Sequence, residues 1–240
     1  MQNNYMKKIL FLDTETTGND PGLDRLTQVC FKTDDNFMSA YFKPPIPISV
    51  KAMSVTHITN KMVSTSESFG QSEFRTKLIN LLEESIMVAH NAPFDIAILK
   101  NEGVEVYDFI DTLRVARFLD KEGIIPEYNL QFLRYFLAID VEAPPHDAKG
   151  DVIVLEALFE RLFNKIRENH HNDENALEEM IEISRKPSLM VHFTFGKHKG
   201  RKVAEVAQMD RPYLEWLLNQ KLQNEEGEVD WIFTLKSFLN

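Results

Sequence analysis

With 240 residues, 43% of them hydrophobic, the chain can bury a sizeable core and fits one main domain plus a smaller appendage. A formal net charge of −10 argues against a protein that coats nucleic acid through a general positive field, while leaving room for one that grips a strand end locally through metal ions. The lone cysteine, Cys30, excludes an intrachain disulfide and, within Val29-Cys30-Phe31, reads as a small buried core residue. The apolar run after Lys7 and Lys8 stops at Asp13, too short for a signal peptide, and no other stretch approaches a membrane span. A reducing cytoplasm and no membrane partner are expected.

The run Leu10-Phe11-Leu12 reads as a buried strand that ends in Asp13-Thr14-Glu15. Side chains alternate along a strand, so Asp13 and Glu15 share one face and Thr14 takes the other. Two carboxylates held this close at a core strand end repel each other or take up protons unless a cation sits between them. The ligand type is carboxylate with no cysteine or histidine nearby, which suits magnesium or manganese rather than zinc. Thr16, Thr17 and Gly18 follow as a turn, where glycine admits close approach of backbone to a ligand.

Residues 26–33 and 38–43 read as two more strands joined by the turn Asp34-Asp35-Asn36, a meander that starts a mixed sheet. Pro44, Pro45 and Pro47 stop the sheet, and residues 50–58 set Met53, Val55, His57 and Ile58 beside a cleft. The spacing of Phe74, Leu78, Leu81 and Leu82 predicts a helix over 72–84 with Ser72 as its cap. Residues 86–90 form the next buried strand; Asn91-Ala92-Pro93 breaks it into a helix that starts near Pro93, which places Asp95 in the first turn. A strand-break-helix connection puts that acid at the carboxyl end of the sheet.

Helices are expected over 111–119 and 129–137 as scaffold; Gln131 to Phe136 could be stretched into a clamp-binding peptide, but Leu130, Leu133 and Leu137 are better explained as core. The stretch Pro144-Pro145-His146-Asp147-Ala148-Lys149-Gly150-Asp151 then leads into a long helix. Positions 151, 155, 158 and 162 share one face, so Asp151 points inward with three leucines, and a buried acid there needs a partner. His146 is read as lying on the loop before that helix.

After a polar break at 170–175 come a short acidic helix over 176–184 and a boundary at Pro187. Val191 to Phe195 alternates like a strand, and Gly196 to Gly200 turns it, so Lys197, Lys199, Arg201 and Lys202 form a basic hairpin. Helices over 203–208 and 212–218, carrying Tyr213, Trp216 and Leu217, close a small module. Residues 187–240 hold seven basic and seven acidic side chains, so the whole net charge of −10 resides in residues 1–186. The basic tip is a candidate phosphate contact.

The segments Phe11-Leu12-Asp13-Thr14-Glu15-Thr16-Thr17-Gly18, His90-Asn91-Ala92-Pro93-Phe94-Asp95 and His146-Asp147-Ala148-Lys149-Gly150-Asp151 closely resemble the three motifs of the DEDDh (DnaQ-like) family of 3′ to 5′ exonucleases. The resemblance covers about residues 7 to 165 and fills all five catalytic positions: Asp13, Glu15, Asp95, His146 and Asp151. It implies an α/β ribonuclease-H-like fold, a central mixed sheet flanked by helices. It also implies two bound Mg2+ (or Mn2+) ions on the four acids, His146 as general base, and stepwise release of nucleoside 5′-monophosphates from a 3′ end. By the same resemblance Thr16, Thr17, Gly18, His57 and Asn91 contact substrate. Residues 48–59 and the stretch from Pro187 to Trp216 resemble the exodeoxyribonuclease X family, which favours a free-standing DNA repair exonuclease over a polymerase proofreading subunit. An exoribonuclease and a non-catalytic nucleic-acid-binding module remain alternatives. The expected organisation is an exonuclease domain over 1–169, a polar helical linker over 170–187 and a small α+β module over 188–240, whose protein partner, if it has one, is unknown.

Overall fold

The computed structural model describes residues 7–34, 36–142, 148–223 and 227–240. Five strands form one sheet in the order β3-β2-β1-β4-β5: β1 (Lys8–Thr16), β2 (Leu26–Thr33), β3 (Asn36–Tyr41), β4 (Ser85–Ala89) and β5 (Phe109–Asp111). β1 runs antiparallel to β2 and parallel to β4, so the sheet is mixed. The turn expected at Asp34-Asp35-Asn36 falls partly outside the described residues at Asp35; Asp34 itself holds φ 47°, as a tight reversal requires.

Helices in chain order are α1 (Val50–Thr56), α2 (Asn60–Val63), a 3-10 turn at Phe69–Gln71, α3 (Glu73–Glu84), α4 (Ala92–Asn101), α5 (Thr112–Leu119), α6 (Leu130–Phe136), α7 (Ala148–Arg167) and α8 (Asp173–Arg185). The central strand is apolar on both faces because both are covered. Leu10 and Leu12 pack with Leu78, Leu82, Ile98 and Leu99 of α3 and α4, while Phe11 packs on the other side with Val152, Leu155, Leu158 and Phe159 of α7. Full burial of each such side chain contributes about 1.5–3 kcal/mol. Cys30 lies in the α7-side core, as expected.

Several expectations need correction. Residues 50–56 are a helix, capped by Ser49, whose hydroxyl accepts from Ala52 N. Asp111 is not helical: it ends β5 and caps α5 through its carboxylate. The helix in the expected linker is longer than read. As α8 it packs on β5, α5 and α7, burying Ala176 and Met180 in the exonuclease core. The loop reading of Pro144, Pro145, His146 and Asp147 lies outside the described residues.

The C-terminal module is also different from an α+β unit. Val191–Phe195 forms no strand; one bridge, His192 to Lys202, closes the turn. Around it stand α9 (Val203–Met209), α10 (Arg211–Leu222) and α11 (Val229–Leu239), the last unforeseen, with Phe193, Leu214, Leu217, Trp231 and Leu235 as the core. The module is tied to α5 by Asp230, which accepts from Arg117 Nη1 at 2.6 Å and from Ser188 N at 2.9 Å. Among the described residues no helix is long and apolar enough to cross a membrane.

Candidate active site

β1 and β4 run parallel, and their carboxyl ends open onto a common edge where an open α/β sheet leaves room for a ligand. The register of β1 slips between Glu15 and Thr16, a bulge beside the acids. Asp13 and Glu15 both project toward α7, as alternation requires. Asp151, in the first turn of α7, meets them: one carboxylate oxygen from each of Asp13, Glu15 and Asp151 lies within 4.8 Å of the others. All three are half-buried.

Asp95 arrives from the opposite layer, in the first turn of α4. It is 5% exposed and stands outside that group of three. Thr14, on the face of β1 away from Asp13, donates its hydroxyl to Asp95 Oδ1 at 2.7 Å. The turn into α4 is fixed in its own way: Asn91 holds a left-handed φ of 66°, and its N–H donates to Asp111 Oδ1 at 2.9 Å. From the other side, Gln131 of α6 donates to Asp151 Oδ1 at 2.6 Å.

The electrostatics follow from this crowding. Burial, and then the charges of Glu15, Asp95 and Asp151, push the Asp13 carboxyl well above the usual range. Burial together with Asp151 raises Glu15 to about 7, and burial raises Asp95 to about 7 against the opposing hydrogen bond from Thr14. An all-oxygen, acid-only donor set that holds its protons this tightly fits a hard divalent cation, which would displace those protons.

The other expected residues separate. Thr16 and Gly18 line a cavity of about 600 Å³ together with Glu15, Ser49, Thr56 and Phe94. Thr17 is buried and donates to Asp24 Oδ1 at 2.6 Å, holding the loop rather than facing the cavity. A Cβ on Gly18 would stand 2.4 Å from Asp24 Oδ2, so that carboxylate's approach requires glycine. His57 is exposed and caps α1 in a left-handed conformation. Asn91 lines a different cavity, between the exonuclease domain and the C-terminal module. His146 lies outside the described residues.

Residues 10–159 match the family model described as Exonuclease, and residues 193–221 match that described as Exodeoxyribonuclease X-like C-terminal. The chain belongs to this exonuclease family. It is 32% identical over 234 residues to Exodeoxyribonuclease 10 of Escherichia coli K12, covering 95% of this chain and 97% of that one. The 3′-5′ exonuclease DinG of Bacillus subtilis is 28% identical over 68% of this chain and 18% of its own. A solved structure of exonuclease X in complex with 5′ overhanging duplex DNA superposes with a TM-score of 0.58 at 26% identity, over 73% of this chain and 99% of that one.

Exonucleases of this family depend on divalent metal, in keeping with the carboxylate cluster. Three supporting residues of this exonuclease carried no sequence signal of their role. Thr14 sits on the wrong face of β1 by alternation, yet reaches Asp95 because α4 begins beside it. Gln131 is hidden in a helix read as scaffold, 20 positions from Asp151. Asp111, although an acid, is 1% exposed and accepts backbone N–H bonds from Asn91 and Leu113.

Proposed function

We propose that this exonuclease removes nucleoside 5′-monophosphates stepwise from DNA 3′ ends, single-stranded or duplex, in DNA repair in the cytoplasm. Asp13, Glu15, Asp95 and Asp151 would hold two magnesium (or manganese) ions, and His146 would be the general base. The observation that supports this best is the convergence of Asp13, Glu15 and Asp151 within 4.8 Å, with Asp95 delivered from the opposite layer.

When bound, such ions supply an activated water and stabilise the leaving 3′ oxygen. The protein's own residues prepare the site. The hydroxyl of Thr14 and the amide of Gln131 each hold one carboxylate oxygen, so the acids keep their orientation while charge gathers around them. The cavity lined by Thr16, Gly18, Ser49, Thr56 and Phe94 opens beside Glu15 and is of a size to take the terminal nucleotide, with the Phe94 ring as an apolar surface for the base. Thr17 shapes the loop that walls it. His146, an imidazole with an unperturbed pKa near 6.5, is suited to take the proton of the attacking water. That role rests on the motif it belongs to. His57, at the last bases, and Asn91 are assigned to substrate contact on the same basis.

The test is digestion of 5′-labelled and 3′-labelled DNA and RNA oligonucleotides with magnesium, comparing the wild type with His146→Ala. Monophosphates should leave DNA from the 3′ end, with release nearly abolished in the variant. Preference for RNA would keep the mechanism and replace the substrate. Cleavage of neither polymer would contradict the reading.

A further inference from the structure

The C-terminal module carries a surface that this chemistry does not use. Its turn places Lys197, Lys199, Arg201 and Lys202 within six positions, with no acid among them, on a chain of net charge −10. Gly196 and Gly200 hold φ of 69° and 83°, and backbone bonds from Lys199 N to Gly196 O, Arg201 N to His198 O and Gly200 N to Phe193 O fix the tip. A Cβ at Gly196 would stand 2.7 Å from Tyr213 Oη, so the turn folds onto that ring only with glycine there. Beneath it, buried His198 bonds Asp210 at 2.8 Å and meets the Tyr213 ring edge-on at 4.8 Å.

The surface above is part aromatic and part cationic. Lys197 Nζ lies 4.7 Å from the Tyr213 centroid, and Tyr213 lies 5.6 Å from Trp216. Trp216 is 54% exposed, whereas Trp231 is buried in the module core. Asp210 pairs with Lys197 and Glu122 with Lys202. Lys199 and Arg201 are exposed and have no acidic partner among the described residues.

A cavity lies between the module and the helices that carry Asp95 and Gln131. Its volume is about 650 Å³, and it is lined by Asn91, which caps the helix carrying Asp95, and by Asn129, which caps the helix carrying Gln131. His192 and Thr194 of the module form its far wall, and His192 bridges to Lys202 at the base of the basic turn. We propose that Lys199, Arg201 and Trp216 form a second binding site for single-stranded polynucleotide, holding the strand on the 5′ side of the end being cut. Phosphates lie on the two cations and one base stacks on the indole. Phosphate charge and the π-face of a base are common to every nucleotide, so the site reads no sequence. The acidic remainder of the chain repels phosphate, which gives a rigid local cation pair its value.

The inference rests on the acidic site acting on polynucleotides, and the experiment separates the two. Labelled oligothymidylates of about 4 and about 20 nucleotides, below and above the span of a single-strand groove, are bound to the full chain in EDTA and followed by anisotropy. Lys199→Glu with Arg201→Glu should weaken the longer strand by tenfold or more, leave the shorter one unchanged, and flatten the salt dependence by about 1.4 log units per log unit of salt, two phosphate contacts' worth. Trp216→Ala should weaken the longer strand by about tenfold, with Trp216→Phe recovering most of it. Melting temperatures and hydrolysis of the short strand should stay at wild-type values. If the variants bind the long strand as the wild type does, or lose the short strand equally, the second site is wrong. If the wild type neither binds nor degrades the short strand, the reading of the acidic site falls instead.

Discussion

Replacing Thr14 by Val removes one hydrogen bond from the centre of the site and little else. The two side chains are similar in volume, and Thr14 is 8% exposed, so the packing of β1 against α4 survives. What is lost is the 2.7 Å bond that holds the ionised form of Asp95 in a buried setting. A hydrogen bond to a charged group contributes about 1.5–3 kcal/mol, which at about 1.4 kcal/mol per factor of ten corresponds to a roughly 10- to 150-fold weaker hold on a cation that needs the charged carboxylate. The sign on pH follows. Burial already raises Asp95 to about 7 while Thr14 pulls it down, so without Thr14 it rises further and a larger fraction is protonated at neutral pH. Activity should be titrated with Mg2+ and Mn2+ at several pH values. The metal concentration for half-maximal rate should rise by the same factor, roughly 10- to 150-fold, at pH 7, the deficit should shrink as pH rises, and the rate at saturating metal should stay within a few-fold of wild type. In EDTA the melting temperature should barely move, because Asp95 takes a proton instead. A folded variant with an unchanged metal requirement would show that Thr14 does not hold Asp95 for the cation.

Glu15→Gln tests the same electrostatics through stability. Glu15 has a folded pKa of about 7 against 4.5 when unperturbed, so above pH 7 the charged carboxylate costs the metal-free protein stability, and the cost fades as pH falls toward 4.5. At pH 8 in EDTA the variant should be more stable by up to about 3 kcal/mol, a ceiling for a half-buried group, with no difference below pH 4.5; urea denaturation at both pH values checks it. Gln131→Ala should raise the metal requirement about tenfold without changing the melting temperature, measured by the same activity titration. Asp230→Ala breaks the bonds from Arg117 and Ser188 and should cost the module about 2 kcal/mol of local stability, seen as faster hydrogen exchange in Val229–Leu239 while the exonuclease sheet keeps its protection.

The parts of the site that were legible in the sequence are those set by short-range periodicity. Alternation along β1 put Asp13 and Glu15 on one face, and the leucine stripe of α7 aimed Asp151 inward, so two separate patterns converged on one point. The strand-break-helix reading put Asp95 in a first turn, where it stands. Periodicity failed where elements are short or one-sided. β5 has three residues, too few to alternate, and its last one doubles as the cap of α5. α1 buries only Ala52 and shows no apolar stripe. α11 lacks a capping side-chain bond at Glu228 to mark its start. Val191, Phe193 and Phe195 alternate, but the positive φ of Gly196 and Gly200 brings the chain back for a single bridge before α9 begins. Thr14 and Gln131 act through partners 81 and 20 positions away, a distance no local pattern spans.

On this reading the four acids form a metal centre that holds the product of 3′-end cleavage. The most direct measurement is a crystal of the wild-type protein soaked with Mn2+ and a nucleoside 5′-monophosphate, with anomalous data collected at the manganese edge. Two anomalous peaks should appear against the carboxylates of Asp13, Glu15, Asp95 and Asp151, with the phosphate beside them and the base in the cavity walled by Phe94. Manganese elsewhere with these four carboxylates bare, or a nucleotide seated away from them, would contradict it.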